Sequence, residues 1–366
     1  MASRVAGANT ARVEISQKLR TWTADNAQCI DSGAISAREA LPRLADESLV
    51  DMGAPLNNNG DLVHQAAVLE SLARYSLSVP FSLWGHRMVI EFLKLSGGGY
   101  AQSVLPGLQA GTTPGASAMA PGYKSLAGAG DLDLRLSKHH DGTLRLSGDI
   151  HWASNLYDDA IAVAPAYGPE TTHHTGVRGG VIVAFPLKAS GVEIGPDLEI
   201  LAMRGTASNS AALRDVEIRP EQILTRDFST FLQRTRPTLS VLQASLCLGL
   251  ASAAYEQAVL NATGFHAVLL GEIHEHGEQL GTARQQLIQL ASHVGTDHPP
   301  NPQDVLALRL QAGQLAGALA TLELKTAGGQ GFITTSDTNR RYREATFIPL
   351  QAPSETQLRW ELGQTD

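Results

Sequence analysis

Glu272, His274, Glu275, His276 and Glu278 crowd potential metal ligands into one short stretch. On a helix His274 and Glu278 share a face, as do Glu272 and His276. Each face lacks a third firm ligand, so no structural or catalytic zinc site, and no metal, is expected. His139-His140 and His173-His174 fall in turn-like text and are expected in solvent. Ser, Cys and His residues do not combine into a nucleophile elbow or another hydrolase motif. Gly97-Gly98-Gly99 follows a helical pattern, not a strand, and lacks the spacing that lets a backbone wrap a pyrophosphate. It reads as an interhelix loop. Trp152 and Ser154 lie on strand-like text, and Gly328-Gly329 ends a helical run. An indole offers a flat apolar wall, a hydroxyl can bond an edge atom of a ring, and glycine lets a backbone approach a ligand closely. By periodicity alone, Trp152 reads as a core aromatic and the glycines as a helix C-cap.

The elements that must position these residues change texture twice. Residues 1–110 read as helices, with apolar residues at three- and four-residue spacing in RVEISQKLRTWTADN, SAREALPRLADESLVDMG, LVHQAAVLESLARYSL and SLWGHRMVIEFLKLS. Ser36 with Glu39 has the form of a capping box. Residues 111–226 read as short β-strands, among them LDLRLSK and TLRLSGDIHWAS, joined through a HHDGT hairpin turn. Their even spacing predicts a small barrel or sandwich rather than a parallel sheet. Residues 227–366 are helical again, with a long, almost wholly apolar run from Leu239 to Ala254. Pro302 after a capping Asn301 opens another helix, and a last one starts near Ser354. The prediction is an α+β multidomain chain: helical domain, small β domain, C-terminal four-helix bundle. Two helix sets flanking a β module form a crevice for a flat ligand.

The 366 residues are 43% hydrophobic and 17% charged, with a net charge of -8 and a pI of about 5.8. That suffices for a large core and argues against nucleic acid as a partner, since an acidic chain repels phosphate. Cys29 and Cys247 lie far apart and read as free thiols of a reducing, cytoplasmic setting. The opening MASRVAGANTARVEIS has no long apolar core, so no secretory signal is expected. The apolar stretches are interrupted by Gln, Ser or Gly, so no membrane span is expected either.

Five segments, in order, resemble the acyl-CoA dehydrogenase family over nearly the whole chain. They are Met119-Ala120-Pro121-Gly122, Trp152-Ala153-Ser154-Asn155, Met203-Arg204-Gly205-Thr206 with LRDVEIRPEQIL, Arg234-Thr235-Arg236-Pro237, and GGQGFITTSDTNRRYREATFIPLQAPSETQLR. The last resembles the family's double-glycine segment, its R-D-A turn (Arg343-Glu344-Ala345) and its catalytic loop. The resemblance implies the family fold and a bound FAD. Trp152 would back the flavin ring, and Ser154 would lie near the reactive nitrogen. Backbone N–H groups around Met119 would hold the pyrimidine edge, and Ser125 would reach the pyrophosphate. Gly328, Gly329, Ser354 and Thr356 would contact the dinucleotide, while Thr235 and Arg236 would face the substrate. It further implies an acyl thioester substrate, a homodimer or homotetramer, and an electron-transfer flavoprotein or an active homologue as partner.

Two departures stand out. The family's catalytic-loop Glu falls on Ala352, which cannot accept a proton. A second branch carries its base on the first buried helix, near Thr235, and threonine is no base at neutral pH. Glu355 is the nearest carboxylate in sequence and is the candidate base, against the reading of a solvated helix-start glutamate. The family's Arg-x-x-Phe-Gly clamp on the pyrophosphate is absent from Asn261-Ala262-Thr263-Gly264-Phe265-His266, and Lys325 stands where the family has glutamine. FMN or no flavin therefore stays open beside FAD. Three functions follow: thioester α,β-dehydrogenation with an altered base, flavin-dependent monooxygenation, or a non-catalytic flavin- or acyl-binding subunit.

Overall fold

The computed structural model describes residues 15–53, 62–170 and 179–365. The N-terminal helices are α1 (Gln17–Ser32), α2 (Ala40–Asp46), α3 (Leu62–Ala73), α4 (Ser78–Ser96) and α5 (Gly99–Gln109). Ser16 caps α1 by accepting from Leu19 N–H, and left-handed Gly33 and Gly97 end α1 and α4. The glycine run 97–99 is the predicted interhelix loop. Residues 11–14 of the first predicted helix and the His173-His174 pair lie outside the described residues.

The central region holds β1 (Gly115–Ser117), α6 (Ala120–Leu126), β2 (Leu134–Lys138), β3 (Leu144–Ala153), β4 (Ile161–Tyr167), β5 (Gly180–Pro186), β6 (Val192–Ile194), β7 (Asn209–Ile218) and β8 (Ile223–Thr225). Hydrogen bonds join these strands into one mixed sheet, ordered β6-β7-β3-β2-β4-β5-β8 with β1 beside β4. Among the described residues the sheet has β6 and β8 at its ends; most pairings are antiparallel, with β1–β4 and β2–β4 parallel. The HHDGT turn joins β2 to β3, as predicted, and His139 and His140 are exposed.

The C-terminal helices are α7 (Phe228–Asn261), α8 (Leu270–His293), α9 (Pro302–Ala327), α10 (Asp337–Phe347) and α11 (Glu355–Leu362). Asn301 caps α9 and Ser354 caps α11. The segment compared with an R-D-A turn is helical: Arg343, Glu344 and Ala345 all lie in α10. By length and composition α7 and the Pro302–Phe332 stretch reach what a membrane span needs, contrary to the expectation, and the most apolar windows are 89% and 61% buried within the protein.

The three sequence regions build two cores. Both helical regions share one, with Leu69 and Leu72 of α3 and Val89 and Phe92 of α4 alongside Leu242, Leu246 and Leu250 of α7. A Cβ at Gly249 would run into the Glu70 carbonyl and Ala73, so only glycine lets α7 lie this close to α3. The β module has its own core. Strands β4 and β5 are buried almost end to end because they serve both: Val163, Ile182 and Ala184 point into the helical core, Ala162, Ala164, Val183 and Phe185 into the β core.

Candidate active site

Trp152 sits near the end of β3. Strict alternation would bury either it or His151, yet both are exposed and Ala153 is buried. The pairing of β3 with β7 slips between Ile150 and Ala153, and this bulge turns the indole outward, leaving it 45% exposed. Trp152 is not sealed inside the β module. Beyond it, Asn155 adopts a left-handed φ of 60° and is fully buried. Its amide accepts from Ser82 Oγ (2.6 Å) and donates to the Ser82 and Gly115 carbonyls (2.9 and 3.0 Å), fastening the strand end to α4.

Ser154 belongs to a row of hydroxyls. Thr206 Oγ1 donates to the Met203 carbonyl (2.8 Å), Ser208 Oγ is 2.8 Å from Thr206 and Ser154 Oγ is 2.6 Å from Ser208. Because a carbonyl only accepts, the Thr206 proton is committed; Ser208 then donates to Thr206, and Ser154 to Ser208. Ser154 is left offering an acceptor beside Trp152. The Met203–Thr206 turn packs so tightly on the N-terminal helices that a Cβ at Gly205 would lie 2.5 Å from the Ile30 carbonyl and 2.6 Å from that of Ile35. Asp31 ties the regions together, accepting from Met203 N–H (2.7 Å) and Arg343 (2.6 Å).

Around Met119 the available donors are few. Ala118 N–H bonds the Val163 carbonyl, Gly122 N–H bonds the Met119 carbonyl and Pro121 has none, so Met119 and Ala120 carry the remaining N–H groups. The Met119 side chain is buried. Ser125 is 1% exposed and its hydroxyl has no partner among the described residues. A pyrophosphate cannot reach it with α6 in this position, which corrects the role the resemblance implied. Gly328 (φ 57°) caps α9, and Cβ atoms built at Gly328 and Gly329 meet nothing within 4 Å, so this backbone is open to a ligand. The Ser354 hydroxyl accepts from Gln357 N–H (3.2 Å), and Thr356 is exposed.

Two substrate expectations are also corrected. Thr235 is fully buried, donating back to the Phe231 and Leu232 carbonyls and lying 2.7 Å from the Tyr123 hydroxyl. Arg236 is ion-paired with Glu361 at 2.5 Å. The α7 residue that meets the Ala352 loop is Gln243, two turns further on. Its Nε2 donates to the Ala352 carbonyl (2.8 Å), while Arg309 of α9 donates to Gln243 Oε1 (3.4 Å), the Ile348 carbonyl (3.1 Å) and Gln351 Oε1 (3.3 Å). Arg309 is 2% exposed and makes no ion pair among the described residues; neutral oxygens alone satisfy it. The sequence pattern missed Gln243 and Arg309. The available signal was two strongly polar residues inside otherwise apolar helical faces.

Glu355 starts α11 and points to α9: Arg359 binds it at 2.7 Å and Gln314 at 3.4 Å. The Arg359 hydrogen bond holds its carboxyl below the usual range. This is the environment of a helix-start carboxylate, with its hydrogen bonds turned to Arg359 and Gln314. Glu91 is wholly buried, paired with Arg87 at 2.6 Å, and pushed up by burial. Among the described residues no group of three His, Cys, Asp or Glu could hold a metal. Cys29 and Cys247 are free.

A β module wedged between two helix sets, with an outward indole and an open double glycine, defines the acyl-CoA dehydrogenase fold. Butyryl-CoA dehydrogenase from Megasphaera elsdenii superposes with a TM-score of 0.83 at 18% identity, covering 96% of this chain and 98% of that one. A dibenzothiophene monooxygenase from Paenibacillus sp. A11-2 superposes at 0.76 with 17% identity, covering 94% of each chain. No family model matches. In sequence, the mitochondrial short-chain specific acyl-CoA dehydrogenase of Sus scrofa is 24% identical over 249 residues, 65% of this chain and 59% of that protein. The Rattus norvegicus counterpart is 22% identical over 346 residues, 90% of this chain and 82% of its own. The chain thus has the acyl-CoA dehydrogenase fold and resembles short-chain specific acyl-CoA dehydrogenases in sequence.

Proposed function

We propose that the chain is a flavin-dependent oxidoreductase acting on an acyl thioester. The observation that carries this reading is Trp152, turned out of the β module by a bulge, with the Ser154 acceptor beside it. Exposing an indole forgoes roughly 2–3 kcal/mol of burial, a cost that a stacked aromatic ligand offsets. The residues fit a flavin in part. Trp152 offers the wall, Met119 and Ala120 N–H groups the edge donors, and Gly328 and Gly329 an approachable backbone; Ser125 does not reach. A flavin held there supplies hydride acceptance. This chain's own part is to orient the thioester between Trp152 and the Ala352 loop, whose backbone Gln243 and Arg309 fix in place. Ala352 cannot take the α-proton, which would pass instead to Glu355, the nearest carboxylate in sequence, or to solvent water.

The neutral loop favours a second reading, monooxygenation, which needs no thioester base; a dibenzothiophene monooxygenase shares the fold. Extraction of the purified protein and mass identification of any flavin is the first test. FAD or FMN supports both readings, and a colourless protein that takes up neither sinks them. Anaerobic bleaching by an acyl-CoA panel then supports dehydrogenation. Oxygen uptake with an added flavin reductase, and no bleaching, supports the second reading.

A further inference from the structure

We propose that His86 is a positioning residue for the ligand slot: with Ser82 it latches two sides of that slot, the Trp152 end of β3 and the segment from β1 to Met119, onto one face of α4. The role rests on the flavin reading, in which Trp152 is the wall and the Met119 and Ala120 N–H groups are the edge donors.

His86 is fully buried, and both its ring nitrogens are engaged. Gly115 N–H donates to Nδ1 at 3.0 Å, so that nitrogen carries no proton. Nε2 carries it instead and donates to the Leu108 carbonyl at 2.9 Å. Burial pushes the imidazole down to about 4, which keeps it neutral. Gly115 opens β1, which pairs only with β4 among the described residues. The Gly115 N–H and carbonyl turn away from β4 and need partners inside the core. His86 takes the N–H, and Asn155 Nδ2 donates to the carbonyl at 3.0 Å.

Ser82 lies one helical turn before His86 on the same face of α4. It holds the rest of the Asn155 amide: Ser82 Oγ donates to Asn155 Oδ1 (2.6 Å), and Asn155 Nδ2 donates to the Ser82 carbonyl (2.9 Å). The bonds close a ring through Ser82, Asn155, Gly115 and His86. Only glycine allows it, since a Cβ at position 115 would lie 2.8 Å from Val89 Cβ and 3.2 Å from the His86 carbonyl. Trp152 and Ser154 lie just before Asn155, and Met119 lies four residues after Gly115. Loosening the Gly115 peptide therefore releases the wall and the edge donors together.

The test is hydrogen–deuterium exchange of the full chain without added ligand, read in peptides covering residues 115–119 and 150–155, beside fluorescence titration with FAD and FMN. In His86→Gln the amide still reaches the Leu108 carbonyl but offers nothing at the Nδ1 position. Both peptides are expected to exchange about tenfold faster, and flavin affinity to fall about tenfold. His86→Asn places Oδ1 where Nδ1 stood, and should stay within about threefold of the parent in both readouts. A side chain that merely filled the core would leave the two variants alike. Ser82→Ala, on the other arm of the ring, serves should His86→Gln fail to fold, and the same paired response is expected. Faster exchange confined to 115–119, or asparagine as damaging as glutamine, would overturn this inference and leave the flavin reading standing. A parent protein that takes up neither FAD nor FMN would sink the flavin reading and the positioning role with it.

Discussion

The Ala352 loop and the end of β3 are held in opposite ways. The loop is gripped from below by a buried guanidinium and a buried amide, yet the residue it presents is a methyl group. Trp152 presents a half-exposed indole at a β-bulge, with the Asn155 anchor behind it. Burying Arg309 among neutral oxygens costs free energy, and a loop with no task would not need such fixation. The difference teaches that a defined backbone and a reactive side chain can be separated along a chain: the loop is held firmly in place while presenting no proton-accepting group at position 352.

The comparison can be sharpened by placing a carboxylate at position 352. Ala352→Glu is expected to raise the rate of anaerobic flavin reduction by butyryl-CoA about a hundredfold or more, the usual scale of a positioned base. Stopped-flow absorbance checks it; an unchanged rate would mean that the loop no longer faces the substrate. Breaking the grip from below is the next largest effect. Arg309→Met strands the Ile348 carbonyl, Gln351 and Gln243, and should lower stability by about 3 kcal/mol in denaturant unfolding. Trp152→Ala addresses the other region. Stability should change by less than about 1 kcal/mol because the indole is half exposed. Flavin affinity should fall about tenfold, measured by fluorescence titration.

The smallest effect concerns the joint between the regions. Glu344 of α10 accepts from Leu77 N–H at 3.1 Å, and burial pushes its carboxyl up to about 7. Its folded value exceeds the unfolded one, so its contribution is fully present below about pH 4.5 and is lost as pH rises through about 7. Glu344→Gln keeps the hydrogen bond without the charge. It should raise the melting midpoint by a few degrees at pH 8 and leave it unchanged near pH 4.5, by scanning calorimetry. A loss at pH 8 would show that the ionised pair with Arg340 is net favourable.

Much of the architecture was legible in the chain alone. Periodicity located the helices on either side of the strands, Asn301 and Ser354 announced helix starts, and HHDGT announced the β2–β3 turn, because caps, turns and amphipathic faces are local physics. The alanine at position 352, where the resemblance implies an acid, was equally plain. Contacts between distant elements were not. Thr235 and Arg236 stood at the expected start of α7, but helix packing sealed one and paired the other. Ser125 matched by position and turned inward.

The sequence by itself determined the order of elements, the apolar faces that must pack and the absence of a carboxylate at position 352. Tertiary structure alone decided that two helical regions fuse into one core, that a bulge turns Trp152 outward, and that Gln243 and Arg309 hold the Ala352 loop from below. Side chains far apart in the chain acquire partners only once whole helices have packed. No local pattern encodes which buried polar group meets which carbonyl.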